Sequence, residues 1–327
     1  MMGAMSDWEP VDTEASVPHR GAAPGRPTSS PPSLRLKRSR NPIIAAFDLG
    51  GRVFQRRLRD VTLGATAILV PAVALNLWVT VVANDQVDPN ANSSLFFDDA
   101  STGVEDIGVF VAALFVGVTT ALVGYFCAHV LIGERFRRPI GAAAALVTTL
   151  RRSPIIVVAW LLTHWWFALL AALLVTASSV AVGPLLFVSA LVAWPAASAT
   201  LFVVPVMVAE GLGPFRAATR SWRLARQRFG TCLGFVLLST VLATLFGVGI
   251  TTMIPLLDQF GFLQFGDATG TIVAVSAQLA VLLVVPLVAM ATAQFYVELR
   301  IAAEGLDMSL DADAAFPETA TATAVDR

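Results

Sequence analysis

Charge is scarce in this 327-residue chain: Asp, Glu, Lys and Arg together make up 14% of it, against about 25% in a soluble domain. There are two cysteines, Cys127 and Cys232, each near the end of an apolar run. Two thiols cannot form the cross-linked framework of a small exported domain, so they are expected to be free, small apolar side chains. Histidine occurs three times and lysine once, as Lys37. No Gly-rich phosphate loop, His-Glu-x-x-His pair or Gly-x-Ser-x-Gly elbow is present, and no nucleophile has a plausible base. An enzyme is therefore not expected, nor are a cofactor, a metal or a nucleic-acid partner.

What the chain has in excess is apolar length. It is 56% hydrophobic, with a mean hydropathy of +0.72. Several runs exceed the ~18 residues at which a membrane helix becomes the natural reading. The fold class expected is an all-α, polytopic membrane protein with six spans, near 61–83, 105–131, 154–177, 184–209, 232–256 and 271–297. Residues 154–209 contain no Asp, Glu, Lys or Arg. That stretch is too long for one span, and Ser178-Ser179 with Gly183-Pro184 supplies a turn at which to divide it.

The sparse charges are segregated. The loops 84–104, 178–183 and 257–270 contain no Lys or Arg, so all 22 basic residues fall on the other side of the six spans. The positive-inside bias makes that side cytoplasmic, with both termini inside a cell membrane. Residues 1–40 hold no apolar signal core and are rich in Pro, Ser, Gly and Ala, so they are expected to be a disordered tail, as are 308–327. The first tail closes on the basic run Arg35-Leu36-Lys37-Arg38-Ser39-Arg40, a topology signal or an anionic-headgroup contact.

Three segments on the basic side share a pattern: Pro42-Ile43-Ile44-Ala45-Ala46, Pro139-Ile140-Gly141-Ala142-Ala143 and Pro214-Phe215-Arg216-Ala217-Ala218. Each opens an amphipathic stretch, gathers arginines and runs into a span, and Pro suits a first helical turn. The domain at 41–307 thus reads as three units, each an interfacial helix followed by a two-span hairpin. In the third copy Phe215, Ala218, Trp222, Ala225 and Phe229 recur at helical spacing, and Arg216, Arg220 and Arg223 hold another face. A basic helix with aromatic anchors lies well in the headgroup plane. The residues expected to bind lipid or a partner are Arg216, Arg220, Trp222, Arg223, Arg226, Arg137, Arg138 and Arg300.

Polar groups within the spans are few. His129 falls near a span end, and His164, in Thr163-His164-Trp165-Trp166, lies mid-span; a neutral His hydrogen-bonded across helices is expected there. Pro71, Pro195, Pro205 and Pro286 imply kinks. The carboxylates Asp85, Asp88, Asp98, Asp99, Glu105 and Asp106 match no calcium-loop spacing and read as a solvated acidic loop.

The segment Gln294-Phe295-Tyr296-Val297-Glu298-Leu299-Arg300-Ile301-Ala302-Ala303-Glu304-Gly305-Leu306-Asp307 resembles a Tyr-x-(Asp/Glu)-x-Arg-x-x-x-Glu-Gly-(Leu/Phe)-Asp signature of some actinobacterial integral membrane proteins. The stretch from Val204-Pro205 to Glu210, then Pro214 through Arg220-Ser221-Trp222-Arg223-Leu224, is similar to the glycerophosphodiester phosphodiesterase membrane-domain-like family. The resemblance covers most of 40–307. It implies a membrane region that, in such phosphodiesterases, precedes a separate catalytic domain; that domain is absent before Arg327, so phosphodiesterase activity is not expected. On the closing segment, Arg300 is placed to pair with Glu304 and Gly305 to end the helix, a clasp against the other arginines or a docking point. Two functions remain in view. One is a non-enzymatic scaffold or accessory subunit whose basic face binds anionic lipid headgroups or a membrane or cytoplasmic protein. The other is a transporter or lipid-handling protein.

Overall fold

The computed structural model describes residues 39–85, 103–136, 139–175, 182–262 and 269–306. Among them every element is a helix: α1 (Pro42–Arg56), α2 (Leu58–Asp85), α3 (Gly103–Arg135), α4 (Ala142–Arg151), α5 (Ser153–Val175), α6 (Val182–Thr200), α7 (Val203–Glu210), α8 (Pro214–Gln227), α9 (Phe229–Gln259) and α10 (Thr269–Glu304). Five helices are long and apolar enough to cross a membrane, six if α4 and α5 count together. The chain is an all-α, membrane-spanning protein. The tails expected at 1–40 and 308–327 lie outside the described residues apart from Ser39 and Arg40, as do Arg137, Arg138 and most of the acidic loop.

The three short amphipathic helices stand where the Pro-x-x-Ala-Ala pattern places them, each ahead of a long apolar helix. Asn41 caps α1, its side chain accepting from the N–H groups of Ile43 and Ile44 at 3.1 and 3.3 Å, and Pro42 follows at the first turn. Between α4 and α5 the chain bends by 66°, so the short helix runs well off the axis of the one it feeds.

The span expected at 184–209 is present, with Leu191–Glu210 long and apolar enough to cross as one, and its helix is interrupted: α6 ends at Thr200 and α7 begins at Val203. Pro205, in the first turn of α7, stands beside the break, whereas Pro71, Pro195 and Pro286 lie inside continuous helices. Gly183 and Pro184, read as a turn, belong to the first turn of α6, where Pro costs no intrahelical bond.

The core joins all three units. Phe47 of α1 stacks on Phe235 of α9, with ring centroids 5.3 Å apart. Phe235 stacks on Phe295 of α10 at 4.4 Å, and Phe295 meets Phe202, in the α6–α7 break, at 5.6 Å. Offset and tilted rings at these distances add to the area they bury. Helix α1 packs along α10 with Ala46, Gly50, Val53 and Phe54 buried. Its backbone comes so near that a Cβ on Gly50 would sit 3.0 Å from Ala291 Cα and 3.1 Å from Met290 O. The two cysteines are free and buried.

Candidate functional site

The charged end of the bundle, where α3, α7 and α10 finish and α1, α4 and α8 lie, divides its arginines into two sets. In the first, each arginine faces a carboxylate at the end of a helix. Glu210 closes α7, and Gly211 after it takes a left-handed conformation (φ 65°) that reverses the chain into α8. Arg220 of α8 directs Nε at both oxygens of Glu210, 3.2 Å each. Its Nη2 donates to Glu304 Oε2 at 2.7 Å. From α10, Tyr296 Oη donates to Glu210 Oε1 at 2.8 Å, and Arg300 Nε donates to Glu304 at 3.0 Å. Arg300 Nη1 stands 3.6 Å from Glu210 and 3.3 Å from the Tyr296 hydroxyl.

Two guanidiniums, two carboxylates and a phenol thus tie α7, α8 and α10 together with no formal charge left over. Burial alone would pull Arg220 below its ordinary pKa, but the hydrogen bonds and charges of Glu304 and Glu210 outweigh it and hold it raised. Arg300 and Glu304 pair as their spacing predicts, and Gly305 ends the helix at φ 63°. Smaller pairings repeat the theme: Glu134 at the end of α3 faces Arg56 and Arg57 at 3.7 and 3.4 Å. The fully buried Glu298 accepts from Gln294 at 2.8 Å and faces Arg135 at 3.7 Å.

The second set lies on the outside of α8. Arg216, Arg223 and Arg226 are exposed, and among the described residues none has an ion-pair partner. Beside them on the helix surface, Phe215 is 65% and Trp222 48% exposed. The face α8 turns inward is a different one, made of Ala217, Ser221, Leu224 and Ala225. The stripe expected from Phe215 to Phe229 is therefore split: Ala225 is buried, Ala218 and Phe229 half-buried, and the two large aromatics at 215 and 222 point outward.

Ser221 on the inward face explains how α8 attaches to the broken helix. Its Oγ accepts the Phe202 N–H at 3.1 Å and donates to the Ala199 carbonyl at 3.0 Å. Backbone groups freed by a helix break within an apolar bundle need such a partner. Farther in, His164 has non-helical backbone angles (φ −119°, ψ 16°) inside α5. Its Nδ1 lies 2.8 Å from the Thr163 hydroxyl and 3.1 Å from the Trp160 carbonyl, and its ring stacks on Trp160. These contacts are within its own helix, and the kink brings the ring back over the preceding turn.

Of the residues expected to bind, Arg220 and Arg300 are thus held inside the charge cluster, Arg216, Trp222, Arg223 and Arg226 face outward together, and Arg137 and Arg138 lie outside the described residues. Glu210, Tyr296, Glu298 and Ser221 carry parts of the site that composition and spacing did not single out. One signal was available: Ala-Glu-Gly-Leu occurs at 209–212 and again at 303–306, and both glutamates reach Arg220. Comparison of the chain with protein-family models, curated proteins and solved structures gives no match.

Proposed function

We propose that the protein is a non-enzymatic membrane scaffold or accessory subunit that presents the outer face of α8 to anionic lipid headgroups, with the charged end on the cytoplasmic side. The observation that carries this reading is the division of the arginines. Arg220 and Arg300 are neutralised by Glu210 and Glu304, whereas Arg216, Arg223 and Arg226 are exposed beside Phe215 and Trp222. Cations next to half-exposed aromatics suit the headgroup plane, where the rings enter the acyl boundary and the guanidiniums meet phosphate. The resemblance of 204–224 and 294–307 to the glycerophosphodiester phosphodiesterase membrane-domain-like family belongs to the same proposal, for the membrane part alone.

The test is capture of the detergent-purified protein on phosphatidylglycerol-coated beads, with Arg216, Arg223 and Arg226 replaced by Gln. At about 1 kcal/mol per arginine near an anionic surface, the triple variant loses on the order of a hundredfold in affinity, and the wild-type affinity falls as salt screens it. Equal capture of both proteins refutes the reading. A transporter or lipid-handling role is the second reading, favoured by the α6–α7 break and the kink at His164; flux in proteoliposomes that falls in His164→Ala would select it.

A further inference from the structure

Between the start of α1, the α8–α9 junction and the last turns of α10 lies a half-open cleft of about 310 Å³, lined by Ser39, Arg40, Pro42, Arg228, Glu298 and Ala302. Its charges are mixed. Among the described residues Arg40 and Arg228 have no ion-pair partner, and the buried Ser39 hydroxyl has no hydrogen-bond partner. On the opposite side, Glu298 presents a buried carboxylate whose Oε1 serves Gln294 and faces Arg135, while Oε2 accepts no hydrogen bond among the described residues. The helix ends reinforce the asymmetry. Pro42 opens α1 and Arg228 is the residue before α9, so two partly positive helix starts border the cationic side; Glu298 and Ala302 lie in the last turns of α10, at its partly negative end.

An anion alone would leave Glu298 facing negative charge, and a cation alone would meet two arginines. We propose that the cleft is a binding site for a zwitterionic phosphoryl amine. Its phosphoryl group sits between Arg40, Arg228 and the Ser39 hydroxyl, and its primary ammonium takes Oε2 of Glu298. The volume is at the small end of the ~300–1,000 Å³ range of ligand sites, room for one headgroup and not for the acyl chains of a lipid. Phosphatidylethanolamine at the membrane surface and soluble phosphoethanolamine share this chemistry. The site does not depend on the α8 face, which selects anions.

The experiment is native mass spectrometry of the full-length protein, delipidated in mild detergent and offered phosphatidylethanolamine and phosphatidylglycerol in equal amounts. Soluble phosphoethanolamine and inorganic phosphate are added in separate arms. With the α8 face removed by the Arg216, Arg223 and Arg226 triple variant, the expected result is one retained phosphatidylethanolamine, preferred over phosphatidylglycerol by about tenfold, the worth of one charge-assisted hydrogen bond. Arg228→Gln lowers retention by about the same factor, and Glu298→Gln abolishes the preference without abolishing binding. Competition by soluble phosphoethanolamine at low concentration identifies the free amine as the ligand; retention that only lipid can displace identifies the membrane lipid. Glu298→Gln also disturbs Arg135, so the decisive variants are Arg228→Gln and Ser39→Ala, which break no described side-chain bond. Phosphatidylethanolamine retention unchanged in both, or phosphatidylglycerol retained as well as phosphatidylethanolamine by the α8 triple variant, overturns the proposal. Phosphatidylethanolamine retention unchanged in the α8 triple variant separates the two sites.

Discussion

Replacing Arg220 with Ala tests whether the neutral cluster holds the helices together. Arg220 contacts both oxygens of Glu210 and one of Glu304, and its side chain is 29% exposed, against 18% for Glu210 and 23% for Glu304. Fully exposed pairs contribute up to about 1 kcal/mol, while removing one partner of a buried pair costs about 3–5 kcal/mol. Partners less than a third exposed fall between, so Arg220→Ala costs about 2 kcal/mol after discounting for solvent screening, and both carboxylates are left with Arg300 as their one guanidinium partner among the described residues. The double-mutant cycle with Glu304→Ala returns a coupling of about 1 kcal/mol, since neighbouring groups in one network do not add. The chain supplies its own reporters: Cys127 and Cys232 are free and buried, so a thiol-reactive fluorophore reads thermal unfolding in detergent. At roughly 2–4 °C per kcal/mol, the apparent Tm drops by roughly 4–8 °C. Arg223→Ala is the control; exposed and without an ion-pair partner among the described residues, it changes stability by less than about 0.5 kcal/mol. Equal losses at 220 and 223, or a coupling indistinguishable from zero, would refute the assignment of Arg220 to structure.

Two further outcomes follow from the packing. Ser221→Ala strands the Phe202 N–H and the Ala199 carbonyl and costs about 2 kcal/mol, whereas Ser239→Ala, which removes a buried hydroxyl with no hydrogen-bond partner among the described residues, leaves the same thiol-monitored Tm unchanged or higher. Gly50→Leu forces side-chain atoms into the Met290–Ala291 backbone of α10, 3.0 Å away at the first carbon, and lowers stability by at least about 1–3 kcal/mol; a Tm equal to wild type would mean that α1 does not pack along α10.

Most of the fold was legible because a membrane makes helices long and apolar and confines arginines to one end. The apolar runs located each long helix, and the Pro-x-x-Ala-Ala pattern located α1, α4 and α8. The errors have local causes. At 184–209 Pro205 signals an interruption, but hydropathy is uniform there and does not place it at Leu201-Phe202, where the hydroxyl of Ser221 takes up the Phe202 N–H. On α8, small residues do the packing: Ala217, Ser221 and Ala225 admit close approach, and the large aromatics that a hydrophobic pattern weighs most heavily are the ones left outside.

The charge cluster was half legible, and the missing half is instructive. The pairing of Arg300 with Glu304 is written at i, i+4, but the meeting of Glu210 with Glu304 is a contact between the ends of two units. Both glutamates belong to the same Ala-Glu-Gly-Leu sequence, and in both copies the glycine takes a positive φ, an easy conformation for a residue with no Cβ. The repeated motif therefore ends α7 and α10 in the same way and presents two carboxylates to one guanidinium. Arg220 lies on α8, ahead of the third unit's long helices, and so bridges the close of the second unit to the close of the third. An arginine count taken from sequence treats 220 like 216, 223 and 226; what separates it is that both repeat ends converge on its side of the helix, which leaves the other three free to face outward.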